Sequence, residues 1–184
     1  NFEVSRPWDA ITSYTAPLNN PEEFEVYPNR DSIPFIEQYI FDRNWKIKQF
    51  VRGTLRLKGW AQAWASIFNE IETLNGQAGE KRLIEMSEQF WRDNAYADNE
   101  PDRVILCVDL KAEQNNHVIW HKTYKMDAWG DTRGTAMARL VSYPVSFAVK
   151  AIIDNDTDHG VSAASSKSYI VDNWLKDISS LAQE

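Results

Sequence analysis

Between Arg43 and Lys58 the chain carries six basic residues and no acidic one. Lys46, Lys48, Arg52, Arg56 and Lys58 share the even positions with Phe50 and Thr54, while Trp45, Ile47, Val51, Leu55 and Leu57 take the odd ones with Gln49 and Gly53. Alternation with period two is the pattern of a half-buried strand, so a strand is expected over 45–58 with its cations on one face. Two readings of that face stand side by side. A concentrated cationic face suits an anion, carboxylate or phosphate, which arginine grips through paired hydrogen bonds. It equally suits a solvated sheet surface that discourages edge pairing, or ion pairs with the acidic helices at 69–100. Arg30, in the turn Pro28-Asn29-Arg30-Asp31-Ser32, is a second candidate for gripping a small polar ligand, set against a simple pairing with Asp31 or Glu22.

Other chemistry is thin. His117 and His121 lie four apart in a strand, about 13 Å along one face, too far to share a zinc whose ligands sit at about 2 Å. They are read as ordinary strand histidines, His159 as part of a solvated acidic turn with Asp156 and Asp158, and no metal is expected. The single cysteine, Cys107, excludes a disulfide framework and a Cys-rich zinc site. It reads as an inert thiol, and the cytoplasm as the compartment. None of the seven glycines forms a G-x-G. A dinucleotide fingerprint and a P-loop are therefore lacking, and no cofactor is expected on this chain. No catalytic residue is assigned.

These residues need elements to hold them. A strand is expected around Phe24–Tyr27, and a helix entered at Asp31 or Ser32, with Pro34 in its first turn, running to Tyr39. At most a short helix fits between Pro7 and Pro17. Trp60, Trp64, Ile67, Phe68, Ile71 and Leu74 form a helical stripe, read as core packing, that stops at Asn75-Gly76. A second helix over 77–94 points Leu83, Ile84, Phe90 and Trp91 inward. Val104–Leu110 and Val118–Met126 alternate as two strands joined at Asn115-Asn116, where asparagine tolerates positive φ. A helix over 135–153 is kinked or restarted at Pro144. A last helix, capped by Ser165 or Ser166, carries Ile170, Trp174, Ile178 and Leu181. The class is α+β: a mixed, largely antiparallel sheet with helices mainly on one face.

The 184 residues fit one domain. A composition of 43% hydrophobic and 26% charged residues permits a packed core. The net charge of -7 and pI near 5.0 argue against nucleic acid and anionic membranes as partners. The apolar stretches read as too short for a bilayer span, which excludes a transmembrane helix. The first residues from Asn1 resemble neither a signal nor a transit peptide.

Tyr27-Pro28-Asn29-Arg30-Asp31-Ser32, followed by Val51-Arg52-Gly53-Thr54-Leu55-Arg56, resembles the saccharopine dehydrogenase (saccharopine reductase) family. So do the run Gly134-Thr135-Ala136-Met137-Ala138-Arg139-Leu140-Val141-Ser142-Tyr143-Pro144-Val145 and the segment from Gly160-Val161 into the final helix. The resemblance runs in order from about residue 5 to the end. It implies the second domain of a longer enzyme, one that shapes the substrate site and the dimer beside an N-terminal Rossmann domain. It implies NAD(P)-linked chemistry at the secondary amine of saccharopine, in lysine metabolism, with NAD or NADP held by the other domain. It selects Arg30, Arg52 and Thr54 as contacts for a carboxylated amine, Arg56 less strongly, and scarcely Lys46 and Lys48. A related reductase for another carboxylated amine, such as carboxynorspermidine, and a non-catalytic dimerisation or scaffold domain are the alternatives. Eight tryptophans exceed what one core of this size requires, and with the resemblance they point to a homodimer.

Overall fold

The computed structural model describes residues 6–29, 31–161 and 164–184. The chain gathers into two compact units. The first takes the chain up to Thr15 with Glu23–Glu37 and Phe41–Glu100; the second takes Ala16–Glu22, Gln38–Ile40 and Pro101–Glu184. The class is α+β, with the strands divided between two antiparallel sheets rather than gathered in one.

The first unit opens on a 3-10 turn, Pro7–Ala10, followed by β1 (Thr12–Ala16), a strand the proline punctuation of this region concealed. Next come β2 (Glu22–Pro28), α1 (Pro34–Gln38), β3 (Gly53–Leu57), α2 (Trp60–Thr73) and α3 (Gly76–Asn94). The sheet order is β1-β2-β3, with β3 an edge strand. The strand expected over 45–58 is therefore corrected to its last third. A period-two pattern marks a surface, but a strand also needs a ladder partner. The β2 ladder ends where Pro28 faces Gly53, and proline has no N–H to extend it. Upstream, Phe41 meets Trp45 and Phe50 in an aromatic cluster instead. Gly53 is required here, since a Cβ would lie 2.6 Å from Val26 Cγ2.

Helix α2 follows Gly59, whose φ of 88° breaks the strand. Both oxygens of Glu25 receive orphan N–H groups at its N-terminus, from Gly59 at 2.9 Å and Ala61 at 2.7 Å. Trp8 stacks on Phe68 of the α2 stripe at 4.9 Å. Asn75-Gly76 does less to stop α2 than to start α3, with Asn75 as its N-cap residue. On α3 the covered row is Gly79, Met86 and Phe90, with Phe90 against Trp64. Leu83, Ile84 and Trp91, expected inward, face out.

In the second unit β4 (Arg103–Gln114) and β5 (His117–Trp129) form a long ribbon, followed by α4 (Ala136–Ile153) and α5 (Ser168–Ser179). Asn115 and Asn116 take φ of 51° and 62°, as a tight hairpin requires. The pairs Leu106–Met126, Val108–Tyr124 and Ala112–Trp120 share the apolar face, with Cys107 on the other. Thr135 caps α4 by accepting from the Ala138 N–H. Asp102 accepts from the N–H groups of Ala136 and Met137 at 2.7 and 2.8 Å, and the helix runs unbroken through Pro144. α5 begins after Lys167, whose N–H donates to Ser165 Oγ; Ile170 and Leu181 are buried.

Two features escape the sequence reading. By length and composition α4 is apolar enough to cross a membrane, so the premise that no stretch reaches that length is withdrawn. Arg139, inside that helix, is 3% exposed. Its guanidinium donates to the carbonyls of Trp129, Gly134 and Leu181 and to Asp131 Oδ1. It thereby joins the helix, the 129–134 loop and the C-terminal segment.

Candidate functional site

Arg52 of the cationic segment and Ser32 of the Pro28–Ser32 turn are twenty residues apart in sequence and adjacent in the fold. The β2–β3 ladder sets Tyr27 opposite Thr54 and Glu25 opposite Arg56. Beyond the ladder Arg52 continues the contact through its main chain. Its carbonyl accepts from the Asn29 N–H at 2.6 Å, and its N–H donates to Ser32 Oγ at 3.1 Å. Asp31 accepts from the Ile33 N–H at 2.9 Å and shapes the entry to α1. The two segments quoted for the family resemblance are thus one structural piece. Arg30 lies outside the described residues.

Along β3 the even positions Thr54 and Arg56 share a face, and Arg52 precedes them on the same parity. Arg52 is half-buried with its guanidinium carbon 3.6 Å from the centre of the Phe35 ring. A cation over an aromatic face gains about 0.5–2 kcal/mol, which orients the group without neutralising it. Arg56 is held in the same manner. Its Nη2 donates to the Tyr27 hydroxyl at 3.1 Å, and its guanidinium lies 5.6 and 5.7 Å from the Tyr27 and Trp60 rings, which stack on each other. Glu25 is the acid across the ladder from Arg56, yet its oxygens are committed to α2. Among the described residues neither Arg52 nor Arg56 has a carboxylate within 4.0 Å, and the Thr54 hydroxyl has no hydrogen-bond partner.

The rest of the cationic segment behaves differently. Lys58 pairs with Glu23 at 2.6 Å, and that hydrogen bond holds the Glu23 carboxyl below its ordinary range and raises the ammonium. Lys58 is thus ion-paired, though to Glu23 of β2 rather than, as expected, to the acidic helices at 69–100. Of the aromatic supports, the sequence reads Trp60 as core packing and Tyr27 as part of a strand, and it gives Phe35 no role. Tyr27 and Phe35 lie in or beside the Tyr27–Ser32 motif, while the arginines they hold belong to the other one, Val51–Arg56. The 190 Å³ pocket lined by Trp8, Ile11, Ala61, Ala65, Phe68 and Asn69 includes none of Arg52, Thr54 and Arg56.

The histidines are occupied locally. His117 Nδ1 meets the Asn115 carbonyl at 2.8 Å, and His121 Nε2 meets Asp109 at 2.7 Å. The Asp109 carboxyl also accepts from Thr123, and these bonds, Thr123 first, lower its pKa. In the acidic loop Lys150 pairs with Asp154 and Lys167 with Asp158.

Two guanidinium groups and a hydroxyl, carried on one strand and oriented by aromatic rings, can receive an anionic group. They offer no nucleophile. The chain belongs to the saccharopine dehydrogenase C-terminal domain family, whose model matches residues 3–180, and the family is that of an oxidoreductase. No curated protein and no solved structure matches the chain.

Proposed function

We propose that the chain is the substrate-binding domain of an NAD(P)-dependent oxidoreductase acting at the secondary amine of saccharopine, and that Arg52 and Thr54, together with Arg30, contact the substrate's carboxylates. One observation carries the reading: Arg52 is half-buried, oriented by Phe35, and without a carboxylate partner among the described residues. A desolvated guanidinium left without an acid inside the fold is favourable when a ligand supplies one. Saccharopine bears three carboxylates, so cations and hydroxyl donors on one strand suit it. The domain's contribution is orientation, holding the reacting carbon in place. The chain carries no G-x-G fingerprint, and the nicotinamide is proposed to belong to the other domain. The partners proposed are this carboxylated amine and a second copy of the chain, with neither nucleic acid nor membrane, in the cytoplasm.

The test is kinetic, in the enzyme carrying this domain. A charge-assisted hydrogen bond contributes about 1.5–3 kcal/mol, and about 1.4 kcal/mol is a factor of ten. Arg52→Ala is therefore expected to raise KM for saccharopine about ten- to a hundredfold while cofactor affinity holds. Lys46→Ala, also a cation of this segment but outside the motif, is the control. Unaltered kinetics in a folded Arg52→Ala enzyme would remove the assignment.

A further inference from the structure

We infer that the outer edge of β4 is the surface through which two copies of this chain pair, antiparallel about a twofold axis at Leu110. The inference rests on the self-association proposed above and is independent of the ligand assignment. The ribbon is a two-stranded sheet, and such a hairpin is marginal in water until further strands or a covering layer join it. Its apolar face remains open: Leu106, Val108, Leu110, Trp120 and Tyr124 are all exposed.

The two edges differ in character. From His117 to Met126, β5 carries His117, His121, Lys122 and Lys125 and no acid, and beyond that the backbone of Gln183 and Glu184 bonds to Asp127. Cations along an edge and a covering segment are two ways of blocking strand addition. The β4 edge alternates instead, as Val108-Asp109-Leu110-Lys111-Ala112, with every one of these residues exposed.

Antiparallel pairing of this strand with itself about Leu110 sets Asp109 opposite the second copy's Lys111, and Lys111 opposite its Asp109, on the polar face. On the apolar face Leu110 meets its own counterpart and Val108 meets Ala112. Shifting the axis to Asp109 sets that acid against itself, and shifting it to Lys111 sets that base against itself; both are destabilising cross-strand pairs. A twofold axis perpendicular to the sheet also keeps both apolar faces on one side. The result is a four-stranded sheet, β5-β4-β4-β5, whose apolar side chains share one face, interrupted in each copy by Lys122 opposite Leu110. The occupant is a second copy because the edge is complementary to itself, and because two chains of net charge -7 approach most easily where their charges alternate.

Sedimentation of the 184-residue chain across a concentration series, with three substitutions, tests this. The wild type is expected to dimerise. Lys111→Asp, which sets acids against acids twice over, is expected to weaken the dimer about tenfold, and Asp109→Lys combined with Lys111→Asp to restore it. In a Cys107→Ser background Leu110→Cys is expected to link two copies under oxidised glutathione, because opposed antiparallel residues fall within disulfide reach. Val108→Cys, which faces position 112, is expected not to. A strictly monomeric chain removes both the dimer and this surface. A dimer indifferent to Lys111→Asp, a double variant left as weak as the single, or Val108→Cys linking as readily as Leu110→Cys removes the surface or register and leaves self-association standing.

Discussion

Replacing Arg139 by methionine removes a buried charge that ties three segments of the second unit together. The cost can be worked from its contacts. The guanidinium donates to the Trp129 carbonyl at 2.8 Å, the Gly134 carbonyl at 3.0 Å, the Leu181 carbonyl at 3.3 Å and Asp131 Oδ1 at 2.5 Å. Removing one partner of a buried ion pair costs about 3–5 kcal/mol. Two features bring the figure toward the lower end. Asp131 is 29% exposed and keeps its pair with Arg133. Arg139 Nε is buried with no partner, and that penalty of about 1–3 kcal/mol disappears with the side chain. Methionine preserves much of the aliphatic volume, so cavity formation adds little. The expected loss is about 2–3 kcal/mol, or a fall of about 1–2 M in the urea midpoint at the slopes usual for small proteins. Far-ultraviolet circular dichroism in urea measures the midpoint. Hydrogen exchange at the amides of 129–134 localises the effect. Arg139→Lys, which keeps charge but loses the forked donor, should fall between the two. A methionine variant within about 0.5 kcal/mol of wild type, the size of an ordinary surface change, with unchanged exchange in that loop, would refute the structural role.

Two further outcomes follow from the same physics. Asp131 is held down to about 2 by hydrogen bonds from the Arg133 side chain and then its backbone, with Arg139 adding charge. A depressed carboxyl contributes stability above its unfolded value of 3.8 and loses it as pH falls toward 2; protection of the 129–134 amides relative to their intrinsic exchange should therefore fall between about pH 4 and pH 2, and Asp131→Asn should flatten that dependence. Gly53→Ala places a methyl against Val26 and should destabilise the first unit by about 1–3 kcal/mol, with Val26→Ala in the same chain relieving part of the loss in urea unfolding.

What could be read from the sequence depended on whether the signal was local. Asn115-Asn116 located the hairpin because positive φ is a property of the residue itself. Likewise the arginine-bearing face of β3 followed from parity alone. Three of the failures concern which partner an element meets. Residues 45–52 have strand periodicity and no ladder. Leu83, Ile84 and Trp91 occupy one side of an amphipathic helix, but the row that is covered runs through Gly79, Met86 and Phe90. Arg139 sits in an apolar helix as though an exception, and only the convergence of three carbonyls and Asp131 explains it. For the site, the cations were legible. The rings of Phe35, Tyr27 and Trp60, which hold two of them without neutralising them, depend on how α1 and the start of α2 approach β3.

The two main-chain bonds of Arg52 have a consequence for how this face can vary. Its carbonyl and N–H fasten the 29–32 turn to the strand, and both belong to the backbone, so any residue other than proline can make them. The side chain is thereby released from architectural duty. A lysine, glutamine or histidine at 52 would inherit the same location and approach direction while presenting a different charge or donor set. Position is encoded in the main chain, so this frame can present a different charge or donor set through single substitutions without first having to refold.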